Sequence, residues 1–545
     1  MSVPDFVIVG SGAAGGVLAK ELAESGLRIV VLEQGPYLKN SEFEHDELKY
    51  VFRFGITNDP RIQPVTYRRT EADVAKPGGT IQYAKLVGGG SVHFTANFWR
   101  FHEIDFIERS TLGAIAGTSL EDWPFTYAEL EPYYTKAEWD LGVSGLAGAN
   151  PFDPPRSKPY PLPPMPVKSS GVLFERAAKQ LGWHPFPAPL AILSQPYMGR
   201  NACQHCGFCI GMGCEHNAKS STLATVIPRA EATGRCEIRP YSTAFRIETN
   251  RRGRVTGVLY YDRSGRERRQ KTKAVIVACN GAETPRLLLL SESSRFPNGL
   301  ANSSGLVGRN LMFNGWSLAQ GEMPEPLNEF KSVMTTRVIQ DFYQSDPARG
   351  FYGGGGLDAR FDAYPILFAL NNVPPGLPRW GPDFKRWMRS AYTRAIMIEG
   401  HSTSLPVESN SISLDPVVKD ALGLPAMRVT NTDHPDDLKM REFLVARSFE
   451  VLQAMGAARP WALPVTIQDG SNHLLGTARM GDDPRRSVVD RFHRAHDVPN
   501  LFICDGSSLV TGGRGQPTCT IQALAYRAAD HIARFARAGA IPSGS

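Results

Sequence analysis

Short apolar runs and one glycine-rich turn dominate the first 35 residues. Residues 5–10 read DFVIVG, a run rich in β-branched residues that ends at glycine, and residues 28–33 read RIVVLE. Between them, Ala14 to Leu22 suit a helix, which Gly26 ends. Continuous apolar runs of this length are typical of buried parallel strands. The pattern therefore predicts a strand–helix–strand unit, the beginning of an α/β fold.

The turn in this unit has glycines at the spacing G-x-G-x-x-G, namely Gly10, Gly12 and Gly15. Gly10 permits the tight turn, Gly12 lets the backbone approach a pyrophosphate, and Gly15 lets the helix pack closely on the strand. The helix N-terminus would face the phosphates, and Glu33 would accept hydrogen bonds from an adenosine ribose. With its flanking strands and terminal acid, the motif predicts a dinucleotide, without separating NAD from FAD.

Three later segments suggest further walls of the same site. Residues 86–100, LVGGGSVHFTANFWR, carry three consecutive glycines, which suit either backbone close to a flat ligand or a plain bend. Residues 274–290 read as a strand, a turn at Asn280–Gly281 and a helix. Near the C-terminus, NLFICDGS reads as a strand, and Pro517 opens a long helix whose positive end would face the turn after that strand.

Composition and charge then narrow the class of protein. The chain has 545 residues, 42% hydrophobic, which allows about two to four domains. The net charge of +6 is too dispersed for nucleic-acid binding, and the densest basic stretch, Arg251 to Lys273, is interpreted as a solvated hairpin face. No apolar run reaches the roughly 18 residues of a membrane span, and no signal peptide is recognised. We expect a soluble chain without an export signal of its own.

Four of the eight cysteines lie close together, and the other four are scattered among apolar neighbours. Cys203, Cys206, Cys209 and Cys214 form C-x2-C-x2-C-x4-C, close to the ferredoxin run C-x2-C-x2-C-x3-C-P. Three interpretations stay open: an iron–sulfur cluster, a loop that is empty or disulfide-bonded, and a zinc site. Three of the four cysteines would suffice for a three-iron cluster.

In their order along the chain, these motifs resemble those of the glucose–methanol–choline (GMC) flavin oxidoreductases. The resemblance covers residues 7–35 and 86–100, GAETPRLLLLS (281–291), HLLGTARMG (473–481) and the tail that follows. Within the family, the chain is most similar to the flavin subunits of bacterial sugar dehydrogenases, which act on glucose, fructose, gluconate or, at carbon 3, glucosides. In that branch the cysteine cluster sits near the flavin and can hold an iron–sulfur centre.

The resemblance implies an α/β fold (α+β overall), with a Rossmann-like FAD-binding domain of GMC type and an antiparallel-sheet substrate domain. The FAD-binding domain would be discontinuous, comprising residues 1–110, 200–318 and 466–545. Residues 111–199, which are rich in proline and look irregular, would join 319–465 as the substrate-binding or lid domain. The cysteine-rich loop would be 203–214.

The resemblance also implies FAD as the cofactor. His93 has the position at which choline oxidase and pyranose oxidase carry a histidine joined covalently to the flavin, so a covalent bond and an unlinked imidazole both stay open here. The residues expected to contact FAD are Gly10, Gly12, Ala13, Ala14, Gly15, Glu33, Gln34, Gly88, Gly89, Ser91, His93, Ala96, Asp505, Gly506, Gln516 and Thr518. A possible [3Fe-4S] or [4Fe-4S] cluster would use Cys203, Cys206, Cys209 and Cys214.

Two residues are expected to act on the substrate. His473 begins the H-x-x-G-T motif, where the family places its catalytic histidine, and imidazole suits a base at neutral pH. Gln516 stands where the family usually has His or Asn; it can donate a hydrogen bond but cannot accept a proton as a base. His473 is therefore expected to be the only base.

The predicted function is oxidation of a sugar or glycoside hydroxyl to the carbonyl, with hydride transfer to flavin N5. Electrons would leave through the cysteine cluster to a cytochrome c or quinone acceptor. A small partner subunit bearing an export signal would place the complex in the periplasm; otherwise the enzyme would be cytoplasmic. The alternatives are a GMC alcohol or pyranose oxidase that uses oxygen, and a lyase that keeps FAD without redox turnover.

Overall fold

A computed structural model describes residues 3–539 of the chain. The eleven α-helices of this part are α1 Ala13–Glu24, α2 Gly90–His93, α3 Glu108–Leu112, α4 Tyr127–Leu141, α5 Ser169–Gln180, α6 Val226–Ala232, α7 Glu283–Leu290, α8 Pro365–Asn371, α9 Gly381–Arg394, α10 Pro435–Ala454 and α11 Thr518–Arg537. Short 3-10 or π-helical turns are Asn40–Glu42, Leu48–Phe52, Glu103–Phe106, Pro347–Arg349 and Gly506–Ser508.

Eighteen strands accompany these helices in the described residues. They are β1 Phe6–Val9, β2 Ile29–Leu32, β3 Val65–Arg68, β4 Lys76–Pro77, β5 Phe186–Pro187, β6 Cys236–Arg239, β7 Thr243–Thr249, β8 Val255–Tyr261, β9 Glu267–Lys271, β10 Ala274–Val277, β11 Gly315–Glu322, β12 Thr335–Ile339, β13 Gly355–Arg360, β14 Ala395–Ser402, β15 Ser411–Lys419, β16 Pro425–Thr430, β17 Ala458–Ala462 and β18 Leu501–Ile503.

The predicted strand–helix–strand unit forms the centre of a five-stranded sheet. The order is β18-β10-β1-β2-β6, and every pairing in it is parallel. All four residues of β1, β2 and β10 are buried, as expected for strands covered by helices on both faces. The predicted α/β class is confirmed, and four of the five strands come from three segments expected to bind FAD, whereas β6 comes from outside them.

Helices α1, α4 and α11 pack together on this sheet. Lys20 of α1 is only 1% exposed, and its Nζ lies 2.6 Å from Asp140 Oδ2 of α4, which also accepts a hydrogen bond from Tyr526 of α11. A capping box at Thr126 and Glu129 begins α4. Residues 111–199, which the sequence suggested were irregular, therefore contain two helices, one of which packs against the FAD-binding segments.

A second, six-stranded sheet has the order β17-β11-β14-β13-β12-β5, with antiparallel pairing throughout. Helix α10 packs against its strands β11 and β14. Because the carboxylate, guanidinium and imidazole groups described below lie on β13 and β14, this sheet positions part of the site. The antiparallel sheet expected for the substrate domain is confirmed, while the residue limits of the two domains stay a prediction.

Two smaller sheets complete the described structure. Strands β15, β16, β3 and β4 form one, and β7, β8 and β9 form the other. The basic stretch Arg251–Lys273 contains the antiparallel β8–β9 hairpin. Strand β9 is largely exposed, as predicted. Among residues 3–539, no helix combines the length and the apolar character needed to cross a bilayer.

Candidate active site

One large cavity lies at the carboxyl ends of β1 and β10, where both glycine-rich segments, the turn before α7 and the start of α11 meet. Thirteen of the residues expected to contact FAD line this cavity: Gly10, Gly12, Ala13, Ala14, Glu33, Gln34, Gly89, Ser91, His93, Asp505, Gly506, Gln516 and Thr518. His473 lines it too. The structure thus brings together segments that are hundreds of residues apart in the chain.

The first glycine motif is packed so closely that side chains are excluded. A Cβ on Gly15 would lie 2.0 Å from the carbonyl oxygen of Gly10, and a Cβ on Gly10 would lie 2.5 Å from that of Ala278. Gly10 also has φ +93°, which favours glycine. Gly15 therefore fixes the helix against the strand from behind the cavity wall, while Gly10 and Gly12 leave backbone open on the cavity side.

Glu33, which directly follows β2, is 5% exposed, and hydrogen bonds fix its carboxylate in place as an acceptor. Its carboxylate accepts hydrogen bonds from Ser11 N at 3.1 Å, Ser11 Oγ at 2.7 Å and Gly35 N at 3.0 Å. Burial raises the pKa of this carboxyl, and the hydrogen bonds oppose the rise. Because a carboxylate has about four lone-pair sites, one acceptor position remains for a ribose hydroxyl.

The second glycine segment lies directly against the first. A Cβ on Gly89, which has φ +51°, would be 2.6 Å from Gly12 Cα. Ser91 Oγ donates to Gly88 O at 2.7 Å, which stabilises the bend. Gly88 and Ala96, like Gly15, are buried and are not among the residues that line the cavity, so their part in cofactor binding stays a prediction.

These features fit a flavin dinucleotide. The bare backbone of the two glycine segments gives a phosphate and a flat ring close access, which side chains would block. Asn97 lines the cavity, is 2% exposed, and has neither a donor nor an acceptor partner for its amide in the described structure. An unsatisfied buried amide costs about 1–3 kcal/mol, so a polar ligand is the expected partner.

The far end of the cavity holds His473 and Gln516. The Gln516 amide lies close to the His473 ring, and His473 N donates to Ser471 Oγ at 3.0 Å. Burial lowers the pKa of His473 to about 4, against an ordinary value of 6.5. The imidazole is therefore neutral at pH 7 and able to accept a proton.

The loop that ends at Gln516 is fixed by a buried ion-pair cluster. Arg514 is fully buried and pairs with Asp105 and, at 2.6 Å, with Glu108 Oε1. Asn314 Nδ2 donates to the carbonyl oxygens of Gly512 and Gly515, at 2.9 and 3.0 Å. Because these groups hold both sides of the loop, the position of Gln516 is determined by the fold rather than by solvent.

Four ionisable residues that the sequence did not indicate lie together on the antiparallel sheet, and three of them act on His473 through their charge. Asp358 and Arg360 lie on β13, Glu399 and His401 lie on β14, and Asp358 is directly opposite Glu399 in the register. His401 Nε2 is 2.7 Å from Asp358 Oδ2, and Arg360 Nη1 is 2.6 Å from Glu399 Oε2. The charges of Glu399, His401 and Arg360 act on the His473 ring.

The pKa of His401 is shifted in the opposite direction to that of His473. Burial opposes protonation, but the carboxylate of Asp358 and the hydrogen bonds to Asp358 and Glu399 prevail and raise the pKa. His401 therefore carries positive charge more readily than its neighbour. Two histidines whose pKa values are shifted in opposite directions are typical of a site where one acts as the base and the other supplies charge.

The cysteine loop borders the same cavity. Ile210 and Gly211 line it, and Gly211 N donates to His93 O at 2.8 Å. The buried Lys219 Nζ donates to Phe94 O at 3.1 Å and to Cys209 O at 2.6 Å. The loop is therefore hydrogen-bonded directly to the segment that carries His93. Burial and the charge of Lys219 lower the pKa of His93 to about 4.

The four clustered cysteines line a small separate cavity behind this contact. All are free thiols, so the disulfide alternative is not what the structure has. Burial raises the pKa of Cys203 to about 11 and that of Cys209 to about 12. Thiols in such a place stay protonated until a metal displaces the proton.

Comparisons with known proteins agree with this geometry. GMC oxidoreductase models match residues 5–314 and 406–525. The chain is 34% identical to 2-methyl-1,2-propanediol dehydrogenase of Mycolicibacterium austroafricanum, over 97% of this chain and 95% of that protein. It is 31% identical to the fructose dehydrogenase large subunit of Gluconobacter japonicus, over 97% of each chain. A solved structure of formate oxidase is similar in fold, with a TM-score of 0.69 at 16% identity, over 99% of each chain. The chain belongs to the GMC oxidoreductase family.

Proposed function

We propose that this protein is an FAD-dependent dehydrogenase that oxidises a hydroxyl of a sugar or glycoside to the carbonyl. Family membership makes the chain an oxidoreductase and supports FAD as its cofactor. The observation that carries the proposal is that His473 and Gln516 lie in the same cavity as both glycine segments. A proton acceptor and a hydrogen-bond donor thus stand where a substrate would meet the cofactor.

The chain's own groups would hold the cofactor at identifiable places. The Gly10–Gly12 turn and the start of α1 would bind the pyrophosphate, and Glu33 would bind the ribose. Asp505 is fixed for a role near the ring, because its carboxylate accepts from Thr284 Oγ1 at 2.6 Å and Ser507 N at 2.7 Å. Bound FAD would supply the hydride acceptor, N5 of the flavin.

In the proposed reaction, His473 takes the hydroxyl proton, because its lowered pKa leaves the ring neutral at pH 7. Gln516 donates an amide N–H to the substrate oxygen and orients it. His401, with its raised pKa, is the poorer proton acceptor and supplies positive charge beside the oxygen that loses its proton. This division of roles follows from environment rather than from residue type.

The substrate class is proposed from the relatives and from the polar wall. The two relatives are named for a 1,2-diol and for fructose, and both compounds carry oxygen atoms on adjacent carbons. The carboxylate of Glu399, near His473, would accept a hydrogen bond from such a second hydroxyl. A sugar or glycoside is our first choice, and a small diol is the competing substrate to be tested.

For the oxidative half of the reaction, we propose that electrons leave through an iron–sulfur cluster of the [3Fe-4S] or [4Fe-4S] type in the cysteine loop. Thiolates are the ligands that such clusters use, and the four cysteines line one cavity next to the flavin-side wall. The acceptor would be cytochrome c or a quinone. A small partner subunit with an export signal would carry the complex to the periplasm; without it, the enzyme would be cytoplasmic.

The covalent bond between His93 and FAD stays a prediction. His93 lines the cavity beside Ser91 and is thus within the wall that would contact the ring. Denaturing gel electrophoresis under ultraviolet light decides the matter. Flavin fluorescence that travels with the protein, and that is lost in His93→Ala, supports attachment, whereas fluorescence that runs free of the wild-type chain shows an unlinked cofactor.

The experiment that tests the proposed function is an anaerobic absorption spectrum before and after adding a panel of sugars, glycosides and 2-methyl-1,2-propanediol. Bleaching of the flavin bands by a sugar supports the proposal, and broad underlying absorption that bleaches with them supports the cluster. Bleaching by the diol alone replaces the substrate class. Peroxide formation in air at the full turnover rate indicates an oxidase, and failure of every alcohol to bleach the flavin favours a lyase.

A further inference from the structure

A second group of metal-binding side chains lies at the outer edge of the cysteine loop. The ligand atoms of His45, Cys206 and Glu215 all lie within 4.8 Å of one another, and His45 Nε2 is 2.8 Å from Glu215 Oε1. His45 comes from the segment after β2, Cys206 lies within the cysteine loop, and Glu215 directly follows that loop. A nitrogen, a sulfur and an oxygen donor thus converge from distant parts of the chain.

The segments that carry these donors are held in place. The His45 ring stacks on Phe208 of the cysteine loop, with centroids 4.0 Å apart and planes 4° apart. Phe43 packs on Gly213, where a Cβ would lie 2.2 Å from the phenyl ring. Glu47 accepts hydrogen bonds from Ile366 N at 3.0 Å and Leu367 N at 2.6 Å. The approach of His45 to the loop is therefore built into the packing on both sides.

The donor set selects the kind of ligand. Imidazole, thiolate and carboxylate are the three ligand types of zinc, and three protein ligands with one open position are common where the metal is accessible. The side chains of His45 and Glu215 are 32% and 24% exposed, so an ion can enter. His216 Nε2 lies 3.1 Å from the same Glu215 oxygen and is a further nitrogen donor at this place.

We propose that His45, Cys206 and Glu215 bind a divalent transition-metal ion of the zinc type, with His216 or water in the fourth position. Binding replaces the thiol proton of Cys206, which passes to solvent. The ion would fasten the His45 segment to the loop whose Ile210 and Gly211 line the flavin cavity. The proposal does not rest on the proposed oxidation of a sugar, but it leaves only Cys203, Cys209 and Cys214 as cysteine ligands for the proposed iron–sulfur cluster.

The test uses the full-length flavoprotein, kept reduced with a phosphine, treated with EDTA and titrated with cobalt chloride. We expect one cobalt per chain, with a sulfur-to-cobalt charge-transfer band that zinc chloride abolishes. His45→Ala and Glu215→Gln should each weaken binding by about 100-fold or more, since loss of even an outer-shell partner costs about 10- to 100-fold. Cys206→Ser should remove the band.

His184→Ala is the matched control. Like His45, which lies close to the carboxylate of Glu215, His184 is an imidazole close to a carboxylate, that of Asp341, at 2.7 Å. This variant should bind cobalt like the wild type, as should Cys203→Ser. Several results would overturn the proposal: no cobalt binding, a band that survives in both His45→Ala and Glu215→Gln, or iron in the purified protein that Cys206→Ser removes. Flavin content and far-ultraviolet circular dichroism identify a misfolded variant, and bleaching by substrate reports the proposed function separately.

Discussion

At the scale of single residues, the environment of an imidazole decides what it can do. His473 is buried beside a neutral amide, whereas His401 is buried beside two carboxylates, so burial lowers the pKa of the first and the carboxylates raise that of the second. A neutral ring accepts a proton from a hydroxyl, and a charged ring stabilises the oxyanion that remains. The sequence contains both residues, but only the fold reveals this difference.

Replacement of His473 by Asn should remove the base and leave the cavity shape nearly intact. The rate of anaerobic flavin reduction by substrate, measured by stopped flow, should fall by about 10²- to 10⁴-fold, the usual contribution of a general base. His184→Asn removes an exposed imidazole just before the edge strand β5 and should leave the rate unchanged. An undiminished rate in His473→Asn would assign the base elsewhere, and His401→Asn would be the next variant.

The pH dependence should follow the lowered pKa of His473. As pH falls from 7, kcat/KM should stay level below pH 6.5 and decline only near pH 4, because the ring stays neutral until then. The same group binds a proton more readily in the unfolded chain, so its contribution to stability is complete above pH 6.5 and is lost as pH falls through about 4. An activity limb centred near 6.5 would show an exposed or differently placed base.

The sequence could identify His473 but not His401. His473 begins a local motif, so its neighbours in the chain identify it. The pKa of His401 is raised by Asp358, which is 43 positions away and meets it only when β13 pairs with β14. The available signal was an acid two residues from an arginine in GGLDAR, and another two residues from a histidine in AIMIEGHS. Same-face charges in buried strands are rare enough to draw attention to a site.

At the scale of elements, the contact between the two glycine segments shapes the cavity. Gly89→Ala would place a methyl group 2.6 Å from Gly12 Cα at a φ of +51°, so the segments must separate. We expect this variant to lose both thermal stability and bound flavin, measured as the unfolding midpoint and the ratio of visible to ultraviolet absorbance.

Gly12→Ala is the comparison, because its Cβ would meet only Gly89 Cα, at 3.8 Å, which is ordinary contact. This variant should fold with a near-normal midpoint and still bind flavin poorly, since the methyl group would occupy the approach to the pyrophosphate. Our interpretation is that Gly89 is needed for close packing and Gly12 for access of the pyrophosphate. Equal losses of stability in the two variants would contradict it.

The pairing of β13 with β14 sets Asp358 opposite Glu399, which is unfavourable unless a cation intervenes. Arg360, 4% exposed in its side chain, supplies that charge to both acids. Arg360→Met should therefore lower the free energy of unfolding by about 3–5 kcal/mol, because it leaves buried carboxylates uncompensated. Urea unfolding measures the loss, and the double variant Arg360→Met with Asp358→Asn should recover part of it; full additivity would rule out the pairing.

Local patterns predicted the elements of the parallel sheet well, because each strand there is a continuous apolar run. The helices within 111–199 were not predicted, because the local sequence pattern there is weak. The sequence of α4, YAELEPYYTKAEWDL, carries a proline and few aliphatic residues, so its helical period is weak. What makes it a helix is the capping box at Thr126 and burial against α1 and α11, including the pair Lys20–Asp140. The capping box is a local signal that we overlooked in the sequence, whereas the tertiary contacts lie outside the reach of a local pattern.

At the scale of the whole molecule, the two sheets divide the chemistry between them. The parallel sheet gathers the glycine-rich turns of the cavity, the antiparallel sheet carries the charged groups that act on His473, and Ile210 and Gly211 of the cysteine loop line the cavity as well. Because the loop is hydrogen-bonded to the His93 segment, the proposed electron exit lies against the cofactor side of the cavity rather than the substrate side. Reduction and reoxidation should therefore be separable by mutation.

Cys209→Ser tests that separation. Cys209 lines the small cavity of the cysteine loop, and its carbonyl accepts a hydrogen bond from Lys219, which also bonds to Phe94 O. Anaerobic bleaching of the flavin by substrate should be unchanged, while reduction of a one-electron acceptor such as cytochrome c should fall to the rate of direct flavin oxidation. Cys236→Ser, in the parallel sheet, should alter neither rate. If Cys209→Ser reduces cytochrome c as fast as the wild type, electrons do not leave through this loop; if bleaching slows as well, the loop supports the cavity rather than the relay.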